Sequence, residues 1–399
     1  MRALTLATIV GLGLSAPAAP VAAQSGIQLP GKLADLRVAA RRDSNDALAH
    51  YYVGLAYLND AKWVQADSAL RMAVLLDARL AEAYLALSYI PYLRRPQLYR
   101  EELRGRVPKD WQPAVEDAAR LNRRAFAVDP LMDLRVLSVL FPVDQRGFRD
   151  YTSVESRIYE LFFEGFDDLA AGRYPAAEQR LTRLAQQVYY EDKKPQDVPD
   201  FLLWARGLAA AHQGKFEVAI GDFQKLFDRS LKKEEKQEVI TVPLRTNEYR
   251  YILAVLHHLA GRLDRAVELY QEAAAQDLSL YMAHVQLATI HEGAQRVSEA
   301  LAERQRAVQA NPEEPTLELD LALAYYQGGA REEAETHLQR AVELNPRDAR
   351  FHYLRGVIAQ ELDRPADART YLTRCVELAP QRLARITNDA RARLAALPQ

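Results

Sequence analysis

Residues 331–346, REEAETHLQRAVELNP, decide how the rest of the chain is read. Ala334 and Ala341 stand seven apart with Leu338 between them, and Pro346 closes the run. Seven residues are close to two turns of an α-helix, so the two alanines share one stripe. Small residues on a stripe let a neighbouring helix come close, and the bulky residue fills the space beside them. Proline lacks an N–H and biases the residue before it away from helix, which predicts a helix stop at Pro346.

The stripe recurs on both sides of this stretch. Ala266, Ala300, Ala334 and Ala368 are each 34 residues apart, and so are Ala273, Ala307, Ala341 and Cys375. Pro312, Pro346 and Pro380 keep the same period. Tyr270, Leu338 and Leu372 supply the bulky residue, and Arg304 is the exception. Aligned columns with one period of this length mark a repeated helix–turn–helix unit.

These columns resemble the tetratricopeptide repeat (TPR) family, which has small residues at repeat positions 8, 20 and 27 and proline at 32. Laid on the family pattern, a first unit covers roughly 47–80, with Gly54, Tyr57, Ala66, Leu70 and Ala73 in phase. A second starts near Ala81 and is split, its second helix expected over 113–128. A third covers 158–190, a fourth 200–231, and four more run without gaps over 247–382. The resemblance implies an all-α, right-handed superhelical solenoid with terminal capping helices. Residues 24–46 are expected to hold an N-terminal linker and cap, and 383–399 a C-terminal capping helix. The N-terminal units would fill 47–190 with inserts at 92–112 and 131–157, and the fourth unit with its flanking loops 191–246.

Composition bounds the function. The 399 residues are 49% hydrophobic and 27% charged, a globular balance. Lys+Arg is 52 against Asp+Glu 54, a net charge of −2, whereas a nucleic-acid binder usually carries a basic excess. One Cys excludes an internal disulfide and a Cys-based zinc or iron–sulfur site. Residues 1–23 read as a secretory signal peptide: Arg2, the apolar run ALTLATIVGLGL, then Val21-Ala22-Ala23 ahead of the cut. The expectation is a soluble exported protein, periplasmic or secreted, with no transmembrane anchor.

Chemistry is sparse. Cys375 holds a column otherwise filled by alanine, which predicts a buried, inert thiol. His257, His258, His284, His291 and Glu292 cluster in sequence and could form a metal-dependent site. Laid on the TPR pattern, however, His50, His284 and His352 take repeat position 4, and His257 and His291 position 11, where a bulky scaffold residue is wanted. Neither a Gly-rich phosphate loop nor a G-x-S-x-G motif occurs. The expectation is therefore no catalysis and no cofactor.

The TPR resemblance also implies that positions 5 and 9 of each first helix line a concave groove. Among them are Tyr51, Tyr89, Phe162, Phe166, Trp204, Tyr251 and Tyr353. None of the units has the position-9 Asn of the carboxylate-clamp subgroup. An apolar, aromatic groove fits a protein or peptide partner. Two further readings are an envelope glycan- or lipid-binding module on the same face, and packing of these rings within the chain.

Overall fold

The computed structural model describes residues 29–132, 164–189, 198–236 and 246–398. The expected signal peptide, most of the 131–157 insert and Phe162 lie outside the described residues. Among the described residues all regular structure is helical, and the fold is an all-α repeat of helix–turn–helix units. The helices are α1 (Leu33–Arg42), α2 (Ala47–Asn59), α3 (Trp63–Leu76), α4 (Ala81–Arg94), α5 (Leu98–Leu103) and α6 (Gln112–Val128). Next come α7 (Tyr174–Tyr189), α8 (Asp200–Ala211), α9 (Phe216–Glu235), α10 (Thr246–Leu259), α11 (Leu263–Gln276) and α12 (Met282–Gly293). The last are α13 (Val297–Ala310), α14 (Pro315–Gln327), α15 (Arg331–Leu344), α16 (Ala349–Glu361), α17 (Pro365–Leu378) and α18 (Ala384–Ala396). They divide between two compact bodies: residues 85–280, and residues 29–84 together with 281–399.

Outside the split second unit, one turn joins the two helices of a unit. Its last residue has a left-handed backbone: Ala61, Gly172, Gly214, Gly261, Gln295, Gly329 and Asp363 have φ between 54° and 83°. The next N–H then reaches back five residues, Lys62 to the Tyr57 carbonyl at 2.9 Å and Arg296 to His291 at 2.8 Å. This pattern ties down carbonyls that the helix end leaves without partners. A side chain at positive φ costs roughly 1–2 kcal/mol that glycine avoids. Glycine loses more freedom on folding, which returns roughly 0.5–1 kcal/mol of that. Ala61→Gly should therefore stabilise the chain by about 0.5–1 kcal/mol in urea unfolding, and no gain would mean the strain is absorbed locally.

The two helices of a unit meet at the small column. A Cβ on Gly54 would lie 2.6 Å from Leu70 Cγ, and one on Gly356 2.6 Å from Leu372 Cγ. Gly207 stands in the same relation to Phe223, at 2.9 Å. The exceptional Arg304 occupies the bulky slot and is held by both oxygens of Glu292, at 2.8 and 2.9 Å. Its alkyl stem can line the contact while the charge is paired.

The stop of the second helix needs a correction. Proline follows some of these helices, yet α3 ends before Asp77-Ala78 and α11 before Asp277-Leu278. After α3, α11 and α15 the side chain of the first residue past the helix makes the turn, while α17 ends at Ala379-Pro380. Asp77 accepts from the Arg79 N–H at 3.1 Å, Asp277 from Ser279 at 2.9 Å, and Asn345 from Arg347 at 3.1 Å. Such Asx turns offer the backbone an alternative to helix, with or without proline beside them.

At the C-terminus the apolar stripe of α18 packs on the last repeat. Leu383, Ile386, Ala390, Leu394 and Leu397 join Ala349, Leu372, Cys375 and Leu378 in one cluster. The 92–112 insert contains the short helix α5, and Arg94 and Arg95 stand over the Trp111 ring at 5.5 and 5.6 Å.

Candidate functional site

The aromatic first-helix positions are placed as follows. Tyr51 is 6% exposed, with its ring 5.5 Å from that of Tyr52. Tyr89 is 3% exposed. Trp204 is 6% exposed, on a helix whose residues from Leu202 to Ala205 are all buried. Tyr251 is fully enclosed; its hydroxyl donates to the Ala127 carbonyl at 2.8 Å, and its ring meets Phe126 edge-on at 5.9 Å. The partner of Tyr251 is thus the C-terminal end of α6, far away in sequence. Phe166 and Tyr353 are half-buried. The Tyr353 hydroxyl donates to Asp389 of α18 at 2.7 Å, and Arg393 holds the same carboxylate at 2.6 Å. Tyr51 and Tyr353 belong to one compact body, and Tyr89, Phe166, Trp204 and Tyr251 to the other.

The histidines of the 257–291 stretch are scattered over different contacts. His257 and His291 are buried in their helices. Burial pushes the His257 imidazole below its usual range, and Arg262 and Arg265 push the same way. Burial also lowers His258, which lies 3.4 Å from the Tyr270 hydroxyl. His284 meets Glu303 at 2.7 Å. Among the described residues no set of three His, Cys, Asp or Glu is gathered as metal donors would be.

The His284–Glu303 contact has a counterpart that sequence reading missed. One period on, the same two columns hold Glu318 and His337, 2.8 Å apart. The acid and the imidazole have exchanged places between neighbouring units. Arg306 also pairs with Glu303. Burial alone would push the Glu303 carboxyl up, but His284 and Arg306 together hold it below the usual range. The signal was available in the sequence as two residues 19 apart with reversed chemistry. It becomes visible only when the columns are compared in pairs.

Cys375 is fully buried in the alanine column, and burial pushes its thiol up to about 11. A thiol so protonated and enclosed is no nucleophile. A shallow hollow of about 510 Å³ lies on α17, lined by His352, Arg369, Tyr371, Arg374 and others. Its guanidinium groups are already engaged, Arg369 by the Pro398 carbonyl at 2.6 Å and Arg374 by Glu377 at 3.0 Å.

The recurring turn, the Gly–Leu contact and the paired helices define a helical-repeat protein. The tetratricopeptide repeat family model matches residues 224–280, 260–315 and 319–382, and these residues form tetratricopeptide repeats. Proteins of this class serve generally as interaction scaffolds. Among solved structures, the crystal structure of MamA is 16% identical, with TM-score 0.36, covering 47% of this chain and 96% of its own. MamA from Desulfovibrio magneticus RS-1 is 20% identical, with TM-score 0.36, covering 45% and 94%. The C-terminal part of a TPR repeat-containing protein from Cytophaga hutchinsonii is 15% identical, with TM-score 0.44, covering 55% and 78%. No curated protein matches the sequence. No described helix is long and apolar enough to cross a membrane.

Proposed function

We propose that this chain is an exported, non-catalytic scaffold whose repeats hold a protein or peptide partner. The observation that carries the reading is the family-model match over 224–315 and 319–382. Export rests on the 1–23 leader reading alone. Within the aromatic set, the half-buried Phe166 and Tyr353 are the rings a partner would meet. Tyr51, Tyr89, Trp204 and Tyr251 would act by shaping the helices beneath, since their rings are already covered within the chain. An aromatic ring that keeps one edge in solvent gives a partner large contact area at low entropic cost.

The test is crosslinking and pull-down from the native envelope, with the unaltered chain and with Phe166→Ala and Tyr353→Ala. A specific protein captured by the first and lost from at least one of the variants, each of which tests its own body, with helical circular dichroism unchanged, is the expected result. Equal capture by all three would remove these residues from the site. Capture of glycan or lipid with no protein would overturn the class of partner.

A further inference from the structure

The N-terminal cap α1 and the first unit, α2 and α3, belong to the same compact body as the last repeats. The contacts that join them bridge sequence separations from 241 to 338 residues. They sort by chemistry. The N-terminal side offers mostly acceptors. These are the Ser44 and Leu75 carbonyls, Asn45 Oδ1, and the carboxylates of Asp43, Asp46 and Asp77. The C-terminal repeats answer with donors. Asn345 Nδ2 donates to Leu75 at 2.6 Å; Arg347 donates to Asn45 at 2.7 Å and to Ser44 at 3.2 Å. The Gln381 N–H donates to Asp43 at 2.8 Å, and Arg382 stands 3.9 Å from both Asp46 and Asp77. One pair runs the other way, Arg79 onto Asp320.

Two physical points follow. Leu75 lies in the last turn of α3, where carbonyls have no partner within the helix. Asn345 therefore caps that helix from another unit. Two apolar clusters among the described residues, by contrast, stay on their own sides. Leu36, Ala40, Val53 and Ala56 form one within 29–84, and Ala349, Leu372, Cys375, Leu378 and Ala390 another within the last repeats. Polar contacts contribute a modest net stabilisation each, and half-exposed charges such as Arg382 are screened by salt. In a repeat protein, stability is a sum of local terms, so a terminal unit can open without the rest.

We propose that α1–α3 form a releasable clasp on the C-terminal repeats. The clasp is closed by the match of acceptors on 43–46 and 75–77 to donors at Asn345, Arg347, Gln381 and Arg382. Rising salt opens it and uncovers a donor-rich surface suited to an acidic segment. This device does not depend on which partner the scaffold takes.

Hydrogen exchange on the full chain tests it, comparing the unaltered protein with the double variant Asn345→Asp, Arg347→Ala, in which the aspartate keeps the acceptor for the Arg347 N–H but has no donor for the Leu75 carbonyl. The expected result is exchange at least about tenfold faster across α2 and α3, with α14–α17 unchanged. Raising NaCl from about 0.05 M to about 0.5 M should speed α2 and α3 in the unaltered chain, and by less in the variant. Unchanged protection of α2 and α3 in both experiments would overturn the proposal. So would loss of protection in α2–α3 and α14–α17 together, which would make the contact one cooperative core. If circular dichroism shows the variant unfolded, the salt series on the unaltered chain decides alone.

Discussion

Trp204→Ala should unfold the chain at markedly lower denaturant, losing about 3–5 kcal/mol of stability. The ring sits on α8 with 6% of the residue exposed, among Leu202, Leu203, Ala205 and Leu208, all buried. Removing it deletes the largest apolar side chain of that helix and leaves a cavity that the surrounding helices fill only in part. The measurement is the urea midpoint with its slope. A loss below about 1 kcal/mol would mean the ring is peripheral to the core, and the groove reading of Trp204 would recover.

A second large effect is expected two residues along the same helix. Arg206 grips both oxygens of Asp222, at 2.7 and 2.5 Å, across the α8–α9 contact. The Asp222 side chain is only 3% exposed, while that of Arg206 is 20% exposed. The bond to Asp222 raises the Arg206 guanidinium above its ordinary range, against the opposing effect of burial. Arg206→Met keeps much of the stem but leaves a buried carboxylate without its cation, at a cost of about 3–5 kcal/mol. The double variant Arg206→Met, Asp222→Leu should recover most of that loss, because it removes the stranded charge. Equal stability of the single and double variants would show that solvent reaches Asp222 and that the pair is ordinary.

The two variants separate questions that the sequence joins. Trp204 occupies a groove position by the repeat register, and the same register gives no sign that its ring is covered. Asp222 and Arg206 look like surface charges on amphipathic helices until α8 and α9 are laid together. Phe166 and Tyr353 come from the same register positions, yet they remain half-buried. Position in the repeat therefore does not sort ligand contact from packing.

The sequence by itself determined the period and the helical class. Those features are written in residues close in the chain, or exactly one repeat apart, where small and bulky side chains must alternate for helices to touch. It also determined the burial of Cys375, because a thiol in an alanine column inherits the alanine environment. Only the tertiary structure decided that Tyr251 reaches Ala127 and that Asn345 caps α3 through Leu75. It also decided that the rings of Tyr51, Tyr89, Trp204 and Tyr251 are covered. The physical reason is that these contacts join segments more than a hundred residues apart. Such contacts have no period, and a hydrogen-bond donor or a tyrosine reads the same in sequence whether it faces water or another helix end.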